Sequence, residues 1–385
     1  MNEIQRLIHE MCPDGVPMVA LGEVCSDIFS GATPSTNKEE YWENGVIPWM
    51  SSGEVHQGTV SFVEKKITKL GYDSCSTKMV PIGSVVVALA GQGKTRGTVA
   101  RTRTELCTNQ SLCSIVGNPK IINNDFIYYY LSSQYQQLRT VSSGDGTRGG
   151  LNLKMINSYK IPLPPLPIQQ RIVEILDKFT SLVSSLDSEI ALRQKQYEYY
   201  RNKLLSFEEG DEGVEWKKII DFADLKAGKA ISASELSEIQ DESHPYPCFG
   251  GNGIRGYIAK KSHSGEYAII GRQGALCGCV NWATGDFYAT EHAVVCTPSR
   301  LTDTKYLFYL FENADLNQYK SQGAQPGLAV SNLNELVYPI PPLPVQLSIV
   351  RTLDTFESLL TNLKKERELR QKQYEYYREK LLTFA

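Results

Sequence analysis

Apolar residues at Ile168, Ile172, Ile175, Phe179, Leu182, Leu186 and Ile190, followed by Tyr197, Tyr200 and Leu204, recur mostly at steps of three and four. That spacing marks a helix with one apolar seam. A second stretch offers Val345, Ile349, Leu353, Phe356, Leu360, Leu363, Tyr374, Tyr377 and Leu381 in the same manner. Pro167 and Pro344 suit first-turn positions, where the missing N–H costs nothing. Neither Gly nor Pro interrupts 168–207, so a helix of forty residues and roughly 60 Å is expected. Elsewhere the pattern is strand-like: Ser84–Ala88 and Ser111–Val116 in the first half, Tyr267–Ile270 and Ala293–Cys296 in the second, with Gly-rich turns between. Asp125–Ser133 and Thr304–Phe311 read as short tyrosine-rich helices, and residues 1–15 as a short amphipathic start.

The two long stretches are copies. Residues 193–207 (RQKQYEYYRNKLLSF) and 370–384 (RQKQYEYYREKLLTF) agree at thirteen of fifteen positions, at an offset of 177. The match runs upstream without a gap: Pro164, Pro165, Leu166, Pro167 and Gln169 recur as Pro341, Pro342, Leu343, Pro344 and Gln346, and Gly146, Gly150 and Leu151 as Gly323, Gly327 and Leu328. Two copies are too few for a solenoid, which needs about three to bury a continuous core, so this is a duplication. An exposed helix of this length needs a partner, and the nearest is its own duplicate, giving an intramolecular antiparallel coiled coil. The segments preceding the helices are then two copies of one domain. Their starts align at an offset of 198 (Val16 with Val214) and their ends at 177, so the first is about twenty residues longer.

Composition narrows the class. The chain has 385 residues and a net charge of −3, so any nucleic-acid surface must be a local basic patch. No signal-like start and no long apolar run is visible, so neither a signal peptide nor a membrane span is expected, and no membrane partner. Nine cysteines without a CxxC pair read as reduced thiols of a cytoplasmic protein rather than a metal site.

Most motifs that promise chemistry fail on context. Ala88–Thr95 fits a relaxed phosphate-loop pattern, with Lys94 and Thr95 as the nucleotide and magnesium contacts. That site needs a helix beginning at Lys94, whereas Arg96-Gly97-Thr98-Val99 favours a strand. Phe249-Gly-Gly-Asn-Gly253 matches the FxGxG signature of S-adenosylmethionine-dependent methyltransferases, but the Asp/Asn-Pro-Pro-aromatic partner is missing. What remains is polar and basic loops on β scaffolds. The first domain contributes Ser51, Ser52, Gln92, Lys94, Thr95, Arg96, Arg101, Asn109 and Gln110; the second Lys226, Lys229, Asn252, Arg255, Arg272, Gln273 and Thr290. Arg and Lys suit guanine edges and phosphates, Asn and Gln suit adenine, and Gly permits close backbone approach. Neither a catalytic set nor a metal set is expected in this chain. Two rival readings are a coiled-coil scaffold with protein-binding domains, and a nucleotide-binding enzyme using 88–95.

The chain resembles the DNA-specificity subunits of type I restriction–modification systems. The resemblance rests on Gly31-Ala-Thr-Pro34 with Tyr41-Trp42 and Ile47-Pro-Trp49, on the doubled IPLPPLPIQQRIV and IPPLPVQLSIV lead-ins, and on the doubled RQKQYEYYR stretch. It implies an α+β fold with an internal pseudo-twofold repeat, in which two β-rich target-recognition domains (1–160 and 211–337) are joined by a long antiparallel two-helix coiled coil (161–210 and 338–385). It further implies that each domain reads one half of a bipartite double-stranded DNA target, with Thr33 of the GATP motif added to the DNA-facing set. Two modification (methyltransferase) subunits and the restriction subunits are the implied partners, and S-adenosylmethionine, ATP and Mg2+ would belong to them. Gln169, Tyr197, Tyr200, Gln346, Tyr374 and Tyr377 are the candidate docking residues, with the tyrosines serving mainly as packing.

Overall fold

A computed structural model describes residues 3–91, 94–142, 150–274, 276–321 and 326–384. It divides into two compact units, residues 1–185 with 366–385 and residues 186–365. The division falls within each long helix.

The first unit is built on a five-stranded sheet in the order Cys25–Ser30, Leu112–Gly117, Val85–Ala88, Val99–Thr102, Thr59–Val60. Its pairs are antiparallel except the last. Val85, Val87, Cys113 and Ile115 face one core and Val86, Ala88 and Leu112 another, as period-two alternation in a sheet covered on both faces requires. A smaller sheet holds Ile47–Met50 parallel to Cys107–Thr108 and antiparallel to Lys66–Ile67. The second unit repeats this plan. Its main sheet runs Ala223–Ala227, Ala293–Pro298, Tyr267–Gly271, Val280–Ala283, and its second sheet, here also of four strands, again contains a parallel pair, Tyr246–Gly250 with Asp286–Ala289. The extra strand Thr59–Val60 belongs to the longer first domain. In each unit the chain enters and leaves the domain through a two-stranded ribbon, Met18–Ala20 with Lys160–Pro162 and Glu215–Lys218 with Val337–Ile340.

The long helices span Leu166–Leu204 and Leu343–Leu382. At about 1.5 Å per residue, the first with its 39 residues extends roughly 59 Å. It ends three residues before the expected Phe207. In the first unit its beginning packs beside the end of the second long helix, with Phe179 stacked on Tyr377 at 5.3 Å. In the second unit its end packs beside the beginning of the other, with Tyr200 stacked on Phe356 at 5.5 Å. Beginning against end is the antiparallel coiled coil read from the seam. Of the nine cysteines, Cys107, Cys113, Cys248, Cys277 and Cys296 are buried. Burial pushes the Cys107 thiol up to about 11 and Cys113 to about 12, which keeps them protonated small hydrophobes.

One glycine in each unit is fixed by close approach. A Cβ on Gly31 would lie 1.8 Å from the carbonyl oxygen of Thr108, and one on Gly228 would lie 2.0 Å from that of Ala289. Gly31→Ala and Gly228→Ala should therefore each weaken their unit by about 1–3 kcal/mol. Gly53→Ala should change little, since its Cβ would have nothing within 4 Å. Urea denaturation of the three variants checks this.

Candidate nucleic-acid interface

In the first unit the polar loops gather where the parallel pair of the small sheet ends. The amide N–H of Asn109 donates to Met50 O at 3.1 Å, joining the segment after one strand to the end of the other. Gly31 lies over Thr108, and the loop that follows is clamped by two indoles. Trp49 Nε1 donates to Ala32 O at 3.0 Å and Trp42 Nε1 to Ser35 O at 3.1 Å, while the two rings meet edge to face at 5.1 Å. That clamp is the physical content of the GATP and Trp motifs. It brings Thr33 to Gln110, whose side-chain oxygen accepts from the Thr33 hydroxyl. Ser51 donates through its N–H and hydroxyl to Glu54 Oε2, fixing the start of the turn Ser52–Gln57. Thr33, Ser51, Ser52, Asn109 and Gln110 thus lie together, and none of them is buried.

Lys94–Gly97 forms a turn followed by the strand Val99–Thr102. A phosphate loop would continue into a helix there, so the nucleotide reading falls. Lys94 is exposed, its carbonyl accepting from Tyr135 at 2.9 Å. Thr95 Oγ lies 3.1 Å from His56 Nε2. The sequence carries no signal for His56 at this place, because its proximity to Thr95 spans 39 positions. Gln92 lies outside the described residues.

In the second unit the FxGxG stretch is a hairpin. Strands Tyr246–Gly250 and Gly253–Ile258 pair antiparallel, with Gly253 at φ +85°, a conformation glycine supplies at the turn. The turn lies across the end of Tyr267–Gly271: a Cβ on Gly251 would sit 2.5 Å from Gln273 O, and one on Gly271 would sit 2.0 Å from Gly251 O. Asn252, Gln273 and the nearby Arg255 are thereby exposed at one end of the domain, with Arg272 half-buried beside them. Lys229, also exposed, donates its N–H to Ala289 O at 3.1 Å. Lys226 is exposed but paired with Asp224 on its own strand.

The two clusters occupy equivalent places, since Thr290 N–H donates to Phe249 O at 3.0 Å as Asn109 does to Met50. The family described as type I restriction modification DNA specificity domain matches residues 13–192 and 211–371. The chain belongs to this family. It is 36% identical to the type I restriction enzyme EcoprrI specificity subunit of Escherichia coli, over 94% of this chain and 93% of that one. Its fold matches the crystal structure of a type I restriction–modification S subunit from M. genitalium with a TM-score of 0.65 at 16% identity, over 95% of this chain and 96% of that one. A second structure, from work on complex assembly and conformational transition of the type I R-M system, gives 0.56 at 17% identity, over 96% and 97%. Among the described residues no His, Cys, Asp and Glu cluster could hold a metal, and no helix is long and apolar enough to cross a membrane.

Several side chains expected on the surfaces of this specificity subunit are internal. Arg101 is buried, its Nη1 donating to Asp177 at 2.7 Å and Asp125 at 3.1 Å. Its guanidinium is engaged within the unit rather than offered to phosphate. Arg96 is buried, and Thr290 is fully buried with its hydroxyl accepting from His292 N–H. The docking set also changes. Gln169 and Gln346 are fully buried. Gln169 accepts from Asn123 N–H at 2.8 Å and donates to Pro164 O and Ile121 O. Gln346 accepts from Asp303 N–H at 2.9 Å and donates to Pro341 O and Leu301 O. Both amides are saturated by backbone. Tyr197 is buried with its hydroxyl on Glu312 at 3.2 Å. Tyr374 and Tyr377 are half-buried, and Tyr200 stacks on Phe356 with one edge left exposed. Tyr200 keeps 36% of its surface exposed, and its neighbour Tyr199 and the repeat-equivalent Tyr376 are more exposed still, at 59% and 51%.

Gln169→Ala and Gln346→Ala should each strand buried carbonyls and an N–H, at about 1–3 kcal/mol for each group left unsatisfied. The expected outcome is a lower thermal transition for the isolated chain. Loss of partner binding at unchanged stability would contradict the assignment.

Proposed function

We propose that each unit of this specificity subunit reads one half of a bipartite double-stranded DNA target, and that the chain thereby directs a type I restriction–modification complex to it. The single observation that carries the reading is the pair of equivalent loop clusters, each held on rigid strand ends. Rigid support matters because base-edge hydrogen bonds need fixed donors and acceptors. In the first unit Asn109, Gln110, Ser51 and Ser52 supply neutral polar groups, with Lys94 beside them for phosphate. In the second, Arg255, Arg272, Gln273 and Asn252 supply a more basic set. The chemistries differ while the scaffold is kept, as two readers of unlike half-sites require.

The chain itself carries no catalytic role in this reading. Modification subunits supply the S-adenosylmethionine chemistry, and restriction subunits use ATP and Mg2+. Tyr199 and Tyr376 take the place of the buried glutamines as docking residues, presenting amphipathic rings at equivalent points of the repeat.

The test is methylome sequencing of cells that carry the chain with its companion modification subunit. Exchanging residues 16–160 for another such domain should change one half of the methylated motif and leave the other intact. Arg255→Ala should relax one position of the other half, at a cost of about 1–3 kcal/mol in binding. A motif unaltered by the exchange, in a complex that still assembles, would contradict the two-reader arrangement.

A further inference from the structure

Where each domain meets its long helix, the same tyrosine–aspartate bond recurs. Tyr129 donates to Asp177 Oδ1 at 2.6 Å, and Tyr309 donates to Asp354 Oδ1 at 2.6 Å. Both phenols have raised pKa values, chiefly through burial and then through the carboxylate they face. They stay protonated and act as donors.

The charges around this shared bond are exchanged. In the first unit the cation comes from the sheet: Arg101 on Val99–Thr102 reaches Asp177 and Asp125, and Arg103 holds Asp125 at 2.8 Å. Burial works against the Arg101 charge, but the bond to Asp177 and its neighbours outweigh it, so its pKa is raised. The short helix Asn124–Ser133 therefore presents an acid, Asp125, and the long helix answers with Asp177 and the neutral Thr180, whose hydroxyl lies 3.2 Å from Tyr129. In the second unit the strand position equivalent to Arg101 is Trp282, paired with Ala268 as Arg101 is with Val85. The position equivalent to Asp125, second in its helix and following the capping residue, is Lys305. Lys305 lies 4.4 Å from the Trp282 ring centre, and 3.6 Å from Glu357 and 3.9 Å from Asp354. Glu357 is Thr180 under the 177 offset. Each seat is matched to its own domain.

We propose that Asp125, Arg101 and Thr180 in one unit, and Lys305, Trp282 and Glu357 in the other, are positioning residues that form two charge-matched and mutually incompatible seats, so that a recognition domain is held correctly only on the helix whose acids match it. A domain presenting Asp125 would face Glu357 in the second seat, with like charges at the distance now spanned by Lys305. A recognition domain transferred between the two places must therefore bring its seat residue with it. The inference concerns how the domains are held, and it stands or falls independently of which bases they read.

The test separates charge from shape in the full chain by hydrogen exchange of residues 124–133. Thr180→Gln should leave the exchange near that of the unaltered chain. Thr180→Glu, of nearly the same shape, should accelerate it about tenfold, the size of coupling expected between side chains in direct contact. Combining Thr180→Glu with Arg101→Trp, Asp125→Lys and Arg103→Thr rebuilds the second seat in the first unit, since Arg103 would otherwise face the new lysine and the residue two positions after Trp282 is Thr284; this combination should restore the slow rate. Equal exchange in the Gln and Glu variants, or no recovery in the quadruple variant, would overturn the proposal.

Discussion

The structure depends on a buried side-chain amide used twice. Gln169 and Gln346 each sit one turn into a long helix, within a Pro-rich lead-in whose prolines cannot donate hydrogen bonds. The carbonyls of Pro164 and Pro341 would be buried without partners if the amide were absent. The same amide holds the loop ahead of the short docking helix, through Ile121 O and Asn123 N–H in one unit and Leu301 O and Asp303 N–H in the other. Asn123 and Asp303 in turn cap those helices with their side-chain oxygens. One residue thus couples the start of a spacer helix to the start of the helix that docks on it. This explains why Pro-Pro-Leu-Pro-x-Gln survives in both copies while the domain sequences have diverged.

From that joint outward, the chain tolerates variation in an ordered way. The main sheet keeps the same strand order in both units, and the Gly31 and Gly228 approaches keep the sheet with the parallel pair pressed on it. Beyond these constraints the loops are free to differ. One domain closes its cluster with the two-tryptophan clamp, and the other lays a glycine hairpin across Gly271–Gln273. Different polar groups reach the same place on the scaffold by different routes.

The long helices, the duplication and the main strands were legible because periodicity and self-similarity are properties of the sequence itself. The failure of Ala88–Thr95 as a phosphate loop was legible too, from the residues that follow it. Burial was not. Gln169 and Gln346 look like surface residues of an exposed helix, and only the folded lead-in reveals that backbone surrounds them. Arg101 had the same difficulty: its partner Asp177 is 76 positions away, across the fold. A basic residue among polar loops reads as a phosphate contact until the matching acid is found. Tyr199 and Tyr376 are hidden for the opposite reason, since neighbouring tyrosines in one stretch cannot be sorted into packed and exposed faces without the partner helix in place.

The exchange of charge between the two seats bears on how a duplicated chain stays asymmetric. The tyrosine–aspartate bond is common to both seats, and the charges around it are what differ. A Glu in place of Thr on a spacer helix disfavours an acid opposite it and favours a lysine. The lysine then makes a strand arginine redundant, and an aromatic ring at that position stabilises the new cation through its face. The three differences at 101/282, 125/305 and 180/357 therefore form one coupled step rather than three independent ones. Such coupling preserves the geometry of each domain on its helix while the loops at the far end of the sheet diverge, which lets the two halves of the chain acquire different readers without loosening either.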